Sequence, residues 1–152
     1  MSAPATITVT SPDFADGAAI PKRFTCDGAN VSPALRWSGV PAGTAELALV
    51  VDDPDAPGGT FTHWVVVNID PGTASIDEGS PPPGARQAPN SAGKSSWFGP
   101  CPPSGAHHYR FTVYALSGRL AESASGSLDA ALSAIAAKAT AQGRLVGVYS
   151  RG

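Results

Sequence analysis

The segment Glu46–Ile69, ELALVVDDPDAPGGTFTHWVVVNI, places two apolar runs on either side of a loop rich in proline, glycine and aspartate. The runs at 46–51 and 61–69 have the apolar and β-branched content of central strands. Proline cannot donate a hydrogen bond to a central ladder, so the chain must leave the first strand at the Asp-Pro-Asp-Ala-Pro sequence. The short connection predicts that the two strands are antiparallel neighbours.

Three carboxylates, Asp52, Asp53 and Asp55, crowd this loop, although a turn needs only one acid. Because like charges repel, the excess predicts that one of them faces a histidine or an amine of a ligand. His63 lies near the start of the second strand, where alternation of side chains predicts that it shares a face with Val65. Asp53 or Asp55 is therefore expected within reach of His63.

The remaining chain adds strands, one long loop and one helix. Further strands are predicted at TITVTS (6–11), HHYRFTVYAL (107–116) and RLVGVYS (144–150). Between 71 and 106 the chain is rich in Pro, Gly and Ser, which is typical of either a functional loop or a flexible connection. A helix is predicted from apolar residues at helical spacing, with a capping serine before it and a glycine stop after it. These residues are Ser127, Leu128, Leu132, Ile135, Ala139 and Gly143.

The composition is that of a single globular domain and argues against several classes of protein. The 152 residues are 42% apolar and 14% charged, with a formal charge of −2, and the sequence has the length of one domain spanning 1–152. No apolar stretch approaches a membrane span, and no basic run suggests nucleic acid as a partner. The start lacks the pattern of a signal peptide, so a cytoplasmic location is expected. Cys26 and Cys101 are accordingly expected to stay reduced.

Two adjacent histidines precede a tyrosine in the strand at 107–116. Alternation puts His107 and Tyr109 on one face and His108 on the other, and an imidazole beside a phenol can donate to an anion. A zinc site would need an improvised set such as His63, His107 and Cys101, so no metal and no cofactor are predicted. Cys101 with His107 could form a nucleophile and base, but no local signature supports it, and no catalytic residue is predicted.

Three separated motifs resemble the phosphatidylethanolamine-binding protein family, in its bacterial branch, often called Raf kinase inhibitor-like. They are DPDAP (53–57), HWVVVNI (63–69) and GPCPPSGAHHYRF (99–111), and the similarity extends over most of the chain, including 14–44 and the final LVGVYSR. The resemblance implies a mostly β, β-sandwich-like fold with a large central antiparallel sheet, a smaller second sheet and one or two helices. It also implies a small preformed pocket for phosphate-type anions and phosphorylated headgroups.

Carried over by motif, the resemblance implies a set of ligand-binding residues. They are Asp53, Asp55, His63, Gly99, Pro100, His107 and Tyr109. Of the three loop acids, Asp53 is the one expected at the pocket, with His63 as its partner. Whether the Ala56–Pro57 bond is cis stays open.

Three hypotheses of function follow. The first is a non-enzymatic binding protein for phosphate or a headgroup such as phosphoethanolamine, with a regulatory role open. The second is an inhibitor of a kinase or protease that acts through the surface loop at 80–98. The third is a small hydrolase or phosphoryl-transfer enzyme that uses the same Asp and His. Whether the chain forms a homodimer stays open.

Overall fold

The computed structural model describes residues 3–151, which form two antiparallel sheets and one α-helix, so the prediction of a mostly β fold is confirmed. The strands are β1 (Thr8–Thr10), β2 (Leu35–Ser38), β3 (Glu46–Asp53), β4 (Phe61–Ile69), β5 (Ser75–Ile76), β6 (Arg86–Ala88), β7 (Gly105–Leu116) and β8 (Ala139–Arg151). The helix is α1 (Leu128–Lys138), and short 3₁₀ turns occur at Lys22–Phe24 and Glu122–Ser125. The smaller sheet has the order β1-β2-β5 and the larger one β6-β4-β3-β7-β8.

The larger sheet is covered on both faces, which explains the continuous apolar runs of its central strands. One face of β3, with Leu47, Leu49 and Val51, packs against the smaller sheet. The other face, with Ala48 and Val50, packs against α1. As predicted, β3 and β4 are antiparallel neighbours. The long antiparallel partner on the other side of β3 is β7.

The predicted end of the helix is wrong. Ser127 does cap α1, since its side chain accepts a hydrogen bond from the Ala130 N–H at 3.1 Å, but the helix stops at Lys138. Gly143 lies inside β8, opposite Val113, where the main chain of Ile7 leaves no space for a Cβ. Pairing along the whole of β7 therefore outweighs the helical preference of the alanine-rich stretch.

Two very short strands divide the segment predicted as one long loop. β5 and β6 contain two and three residues, too few to give a periodic signal in the sequence. No peptide bond in residues 3–151 is cis, so Ala56–Pro57 is trans. No helix in this part of the chain is long and apolar enough to cross a membrane.

The expectation of two free thiols is wrong, because Cys26 and Cys101 form a disulfide with their Cα atoms 5.4 Å apart. The backbone N–H of Cys26 also donates to the carbonyl of Pro100, so the two segments run side by side. A separation of 75 residues in the sequence concealed this contact. The thiol considered as a nucleophile is thus bonded to sulfur, while the cytoplasmic location stays a prediction.

Candidate functional site

A bulge in β4 turns His63 toward the smaller sheet. The β3–β4 ladder shifts register between Val51 and Asp52, which makes His63 an extra residue on β4. The sequence predicted that His63 and Val65 would share a face. Instead Val65 packs against α1, whereas the His63 ring lies 5.3 Å from the Tyr109 ring, measured between centroids, on the opposite face. The alternation rule failed because a bulge reverses it.

A cavity of about 270 Å³ opens where β3, β4 and β7 meet the adjoining loops. Four of the predicted site residues line it: Asp53, His63, His107 and Tyr109. The other lining residues are mainly apolar and were not predicted to bind a ligand: Ala56, Pro57, Phe61, Phe98, Cys101, Pro102 and Pro103. A signal for two of them was the presence of Phe98 and Cys101 in a loop otherwise rich in small and turn-forming residues.

Asp53 pairs with His107 and not with His63, which corrects the prediction. Its Oδ2 lies 2.7 Å from His107 Nδ1, and its Oδ1 accepts a hydrogen bond from the Asp55 N–H at 2.8 Å. Since β3 also neighbours β7, Asp53 meets a strand that lies far from it in the sequence. A carboxylate only accepts, so His107 Nδ1 carries the proton and its Nε2 is left for other partners.

His63 is held by the loop that follows β6. Its Nδ1 donates to the carbonyl of Phe98 at 2.6 Å, and the Phe98 N–H donates back to the His63 carbonyl at 3.2 Å. The side chain of Asn90, 3% exposed, donates to the same His63 carbonyl at 3.3 Å. Sequence reasoning missed Asn90, whose contribution is to position the strand that carries His63.

Three polar atoms at the cavity lack a protein partner. Within residues 3–151, no hydrogen bond joins His63 Nε2, His107 Nε2 or Tyr109 Oη to another group. In the same residues, no fully enclosed side-chain nitrogen or oxygen is without a partner, so these three atoms are open to the cavity. The residues themselves are 4%, 7% and 1% exposed, respectively. Their hydrogen-bonding capacity is therefore available to a small ligand.

The environment sets the protonation of two of these groups. Burial lowers the pKa of His63, against the opposing effects of the Phe98 carbonyl and Asp53, so its imidazole favours the neutral form. Burial, reinforced by Asp53, raises the pKa of Tyr109. Its hydroxyl thus stays protonated and able to donate at neutral pH.

The other predicted site residues lie outside the lining. Asp55 accepts hydrogen bonds from the backbone N–H and the ring Nδ1 of His108, at 2.8 and 2.6 Å, and these bonds lower the pKa of Asp55. As predicted, His108 faces away from His107. Gly99 and Pro100 are buried and do not line the cavity, and Gly99 packs against Asn30 too closely for any side chain.

The residues at the cavity do not form a metal-binding cluster. Within 3–151, no group of three or more His, Cys, Asp or Glu side chains is arranged to hold a metal ion. The third loop acid, Asp52, makes a two-pronged ion pair with Arg110, at 2.7 and 2.9 Å, on the opposite face of the sheet. The site is thus a set of hydrogen-bonding groups in an apolar surround.

We compared the chain with protein-family models and with known proteins, and the matches agree with one another. The family model described as phosphatidylethanolamine-binding protein matches residues 10–150. LppC of Mycobacterium tuberculosis, named as a candidate lipoprotein, is 53% identical over 145 residues, covering 94% of this chain and 72% of that protein. A UPF0098 protein of Methanothermobacter thermautotrophicus is 43% identical over 144 residues, covering 91% and 95% of the two chains.

Two solved structures have the same architecture. A phosphatidylethanolamine-binding protein homologue from Chlamydia trachomatis superposes with a TM-score of 0.90 at 34% identity, covering 97% of this chain and 99% of that one. YbcL of Escherichia coli, described as a new member of the mammalian family, gives a TM-score of 0.90 at 34% identity, covering 97% and 100%. The fold described above is therefore shared along the full length of both neighbours.

Proposed function

Because this chain belongs to the phosphatidylethanolamine-binding protein family, we propose that its cavity binds a phosphate-type anion, either free or in a phosphorylated headgroup such as phosphoethanolamine. The family supports a binding protein in general, and the anion is inferred from the site. The observation that carries the proposal is the convergence of His63 Nε2, His107 Nε2 and Tyr109 Oη on one cavity without protein partners.

Each of the three groups has a role in this proposal. Tyr109 donates its hydroxyl proton to an oxygen of the anion. His107 is held at Nδ1 by the Asp53 carboxylate and presents Nε2 to the anion, to which it donates when the ring carries a second proton. Before the ligand binds, His63 is neutral, because burial lowers its pKa. On binding, its Nε2 either accepts a hydrogen bond from a protonated phosphate or takes up a proton. The negative charge of Asp53 repels a phosphate dianion unless His107 is charged. The site therefore favours ligands that carry a proton or an amine.

The test is a titration of phosphoethanolamine into ¹⁵N-histidine-labelled protein, followed by imidazole NMR. We expect the ring signals of His63 and His107 to move together and saturate, while those of His108 stay in place. His107→Ala should weaken binding at least tenfold, since a charged hydrogen bond contributes about 1.5–3 kcal/mol. The matched control is His108→Ala, which removes the neighbouring outward-facing histidine and should leave binding within twofold. Unmoved signals of His63 and His107 at saturating ligand would contradict the proposal.

A further inference from the structure

We propose that the Cys26–Cys101 disulfide holds one wall of the anion pocket in place, so that reduction by a dithiol loosens this wall and weakens anion binding. This inference rests on the proposed function, to which it adds a redox control. Cys101 lines the cavity next to Pro102 and Pro103.

The wall segment Cys101–Ser104 has few other attachments. Pro102 and Pro103 have no N–H to donate. Among the backbone hydrogen bonds of loops and turns within residues 3–151, none involves these four residues. The segment is joined to β7 at Gly105, Pro102 is buried, and the covalent lateral attachment of the segment is the bond from Cys101 to Cys26.

The neighbouring segment 97–100 is held independently of the sulfur bridge. Phe98 exchanges two hydrogen bonds with His63, and Trp97 Nε1 donates to the Phe24 carbonyl at 3.3 Å. The carbonyl of Pro100 accepts from the Cys26 N–H at 3.1 Å. Reduction is therefore expected to free the wall segment while leaving His63 and the sheet in place.

The bridge is open to thiol–disulfide exchange. Both cysteines are half-buried, and the guanidinium of Arg151 lies 3.5 Å from Cys101 Sγ. One thiolate of a dithiol attacks Cys26 Sγ, the S–S bond breaks, and Cys101 leaves as a thiolate that the Arg151 cation stabilises. The second thiol of the reductant then displaces Cys26. The dithiol loses two electrons and becomes a disulfide, and the protein gains two thiols.

The experiment compares the oxidised chain with the chain reduced by dithiothreitol. Phosphoethanolamine affinity is measured by calorimetry and amide hydrogen exchange by mass spectrometry. We expect reduction to weaken binding at least fivefold and to speed exchange in 101–106, with no change in β3 and β4. Cys26→Ser/Cys101→Ser should reproduce the reduced state without any reductant.

A rescue separates the bridge from the chemistry of free thiols. Treating the reduced chain with diiodomethane joins the two sulfurs through one CH₂ group, with loss of two iodides and two protons. This thioacetal cannot be reduced, so we expect affinity and slow exchange to return and to persist in dithiothreitol.

The outcomes separate the two proposals. Equal affinity of the oxidised and reduced chains, or global unfolding on reduction by circular dichroism, would overturn the inference and leave the proposed function standing. Absence of binding by the oxidised chain would contradict the proposed function itself, and the inference would fall with it. If the double variant does not fold, the comparison of the reduced chain with the thioacetal-bridged chain still tests the effect of the bridge on affinity.

Discussion

Asp53 and Glu46 lie at opposite ends of β3, and both carboxylates are buried, at 3% and 2% exposure. Glu46 accepts three hydrogen bonds, from the Asn68 backbone N–H, the Asn68 side-chain amide and the Leu120 N–H, at 3.0, 3.0 and 3.1 Å. Asp53 accepts one bond from its own turn and one from His107, whose other nitrogen opens onto a cavity. The first network ends inside the protein, and the second ends at a cavity.

This difference is what distinguishes a structural acid from the acid at the proposed binding site. A depression of about 210 Å³ also opens beside Glu46, so volume alone does not separate the two ends. Burial does not separate them either. What separates them is whether the polar network ends in protein donors or in atoms left for a ligand.

The largest expected effect is on stability, from Glu46→Gln. The glutamine keeps one acceptor oxygen but points an NH₂ group at an N–H that needs an acceptor. Leaving one buried donor unpaired costs roughly 1–3 kcal/mol, and the facing donors place this variant toward the upper end of that range. Urea unfolding measures the loss. Phosphoethanolamine affinity should stay within twofold, since the change lies at the far end of β3. A loss below about 0.5 kcal/mol would show that Glu46 is not the structural acid of this pair.

Tyr109→Phe should give the opposite result, with weaker binding and unchanged stability. The hydroxyl has no protein partner in residues 3–151, so its removal should change the free energy of unfolding by less than about 0.5 kcal/mol. One hydrogen bond to the anion is lost, so affinity should fall about three- to tenfold, as calorimetry would show. Tyr149→Phe is the matched control, because the Tyr149 hydroxyl bonds to Asp27 at 2.6 Å. That variant should lose stability and keep its affinity, and equal behaviour of the two variants would remove Tyr109 from the site.

Asp53→Asn should cost less stability than Glu46→Gln, no more than about 1 kcal/mol. The asparagine oxygen still accepts from the Asp55 N–H, and its NH₂ group then faces His107 Nδ1. An imidazole can exchange tautomers, so Nδ1 becomes the acceptor and the proton moves to Nε2. Imidazole ¹⁵N shifts report this exchange directly. If His107 kept its proton on Nδ1 in the variant, the 2.7 Å bond to Asp53 would not be what fixes the tautomer.

The sequence predicted the sheet and the four polar residues that line the cavity, but not their partners. Continuous apolar runs located β3 and β4, and alternation placed His107 and Tyr109 on one face. These signals depend on neighbours within a strand. The Asp53–His107 bond, the His63–Phe98 bond and the disulfide join residues 54, 35 and 75 positions apart, so no local pattern encodes them.

Two further predictions were wrong because pairing between strands outweighs a local preference. The bulge at His63 changes one residue of register and thereby reverses which face the side chain occupies. Ala139 and Ala141, which follow α1, prefer a helix, but they lie in β8 because this strand pairs with β7. Both are cases in which tertiary contacts outweigh a local preference.

The smallest expected effect is a decline in stability as the pH falls below 6.5, the ordinary pKa of a histidine. Burial lowers the pKa of His63 in the folded chain, so the unfolded chain takes up the proton first as the solution is acidified. The contribution of His63 to stability is therefore constant above pH 6.5. It is lost as the pH falls from 6.5 to the pKa of His63 in the folded chain. The pKa of Asp55 is lowered from 3.8, so Asp55 affects the pH dependence of stability only below about pH 3.8. The pH ranges in which His63 and Asp55 act are therefore separate.

Urea unfolding between pH 5 and 8 measures this slope, and His63→Gln isolates it. The glutamine lowers stability at every pH, because Phe98 loses its imidazole donor, but it cannot titrate. The difference between wild type and variant should therefore shrink as the pH falls. A difference between wild type and His63→Gln that is the same at pH 5 and pH 8 would mean that the cavity solvates the His63 cation, and the neutral role given to this imidazole would have to be withdrawn.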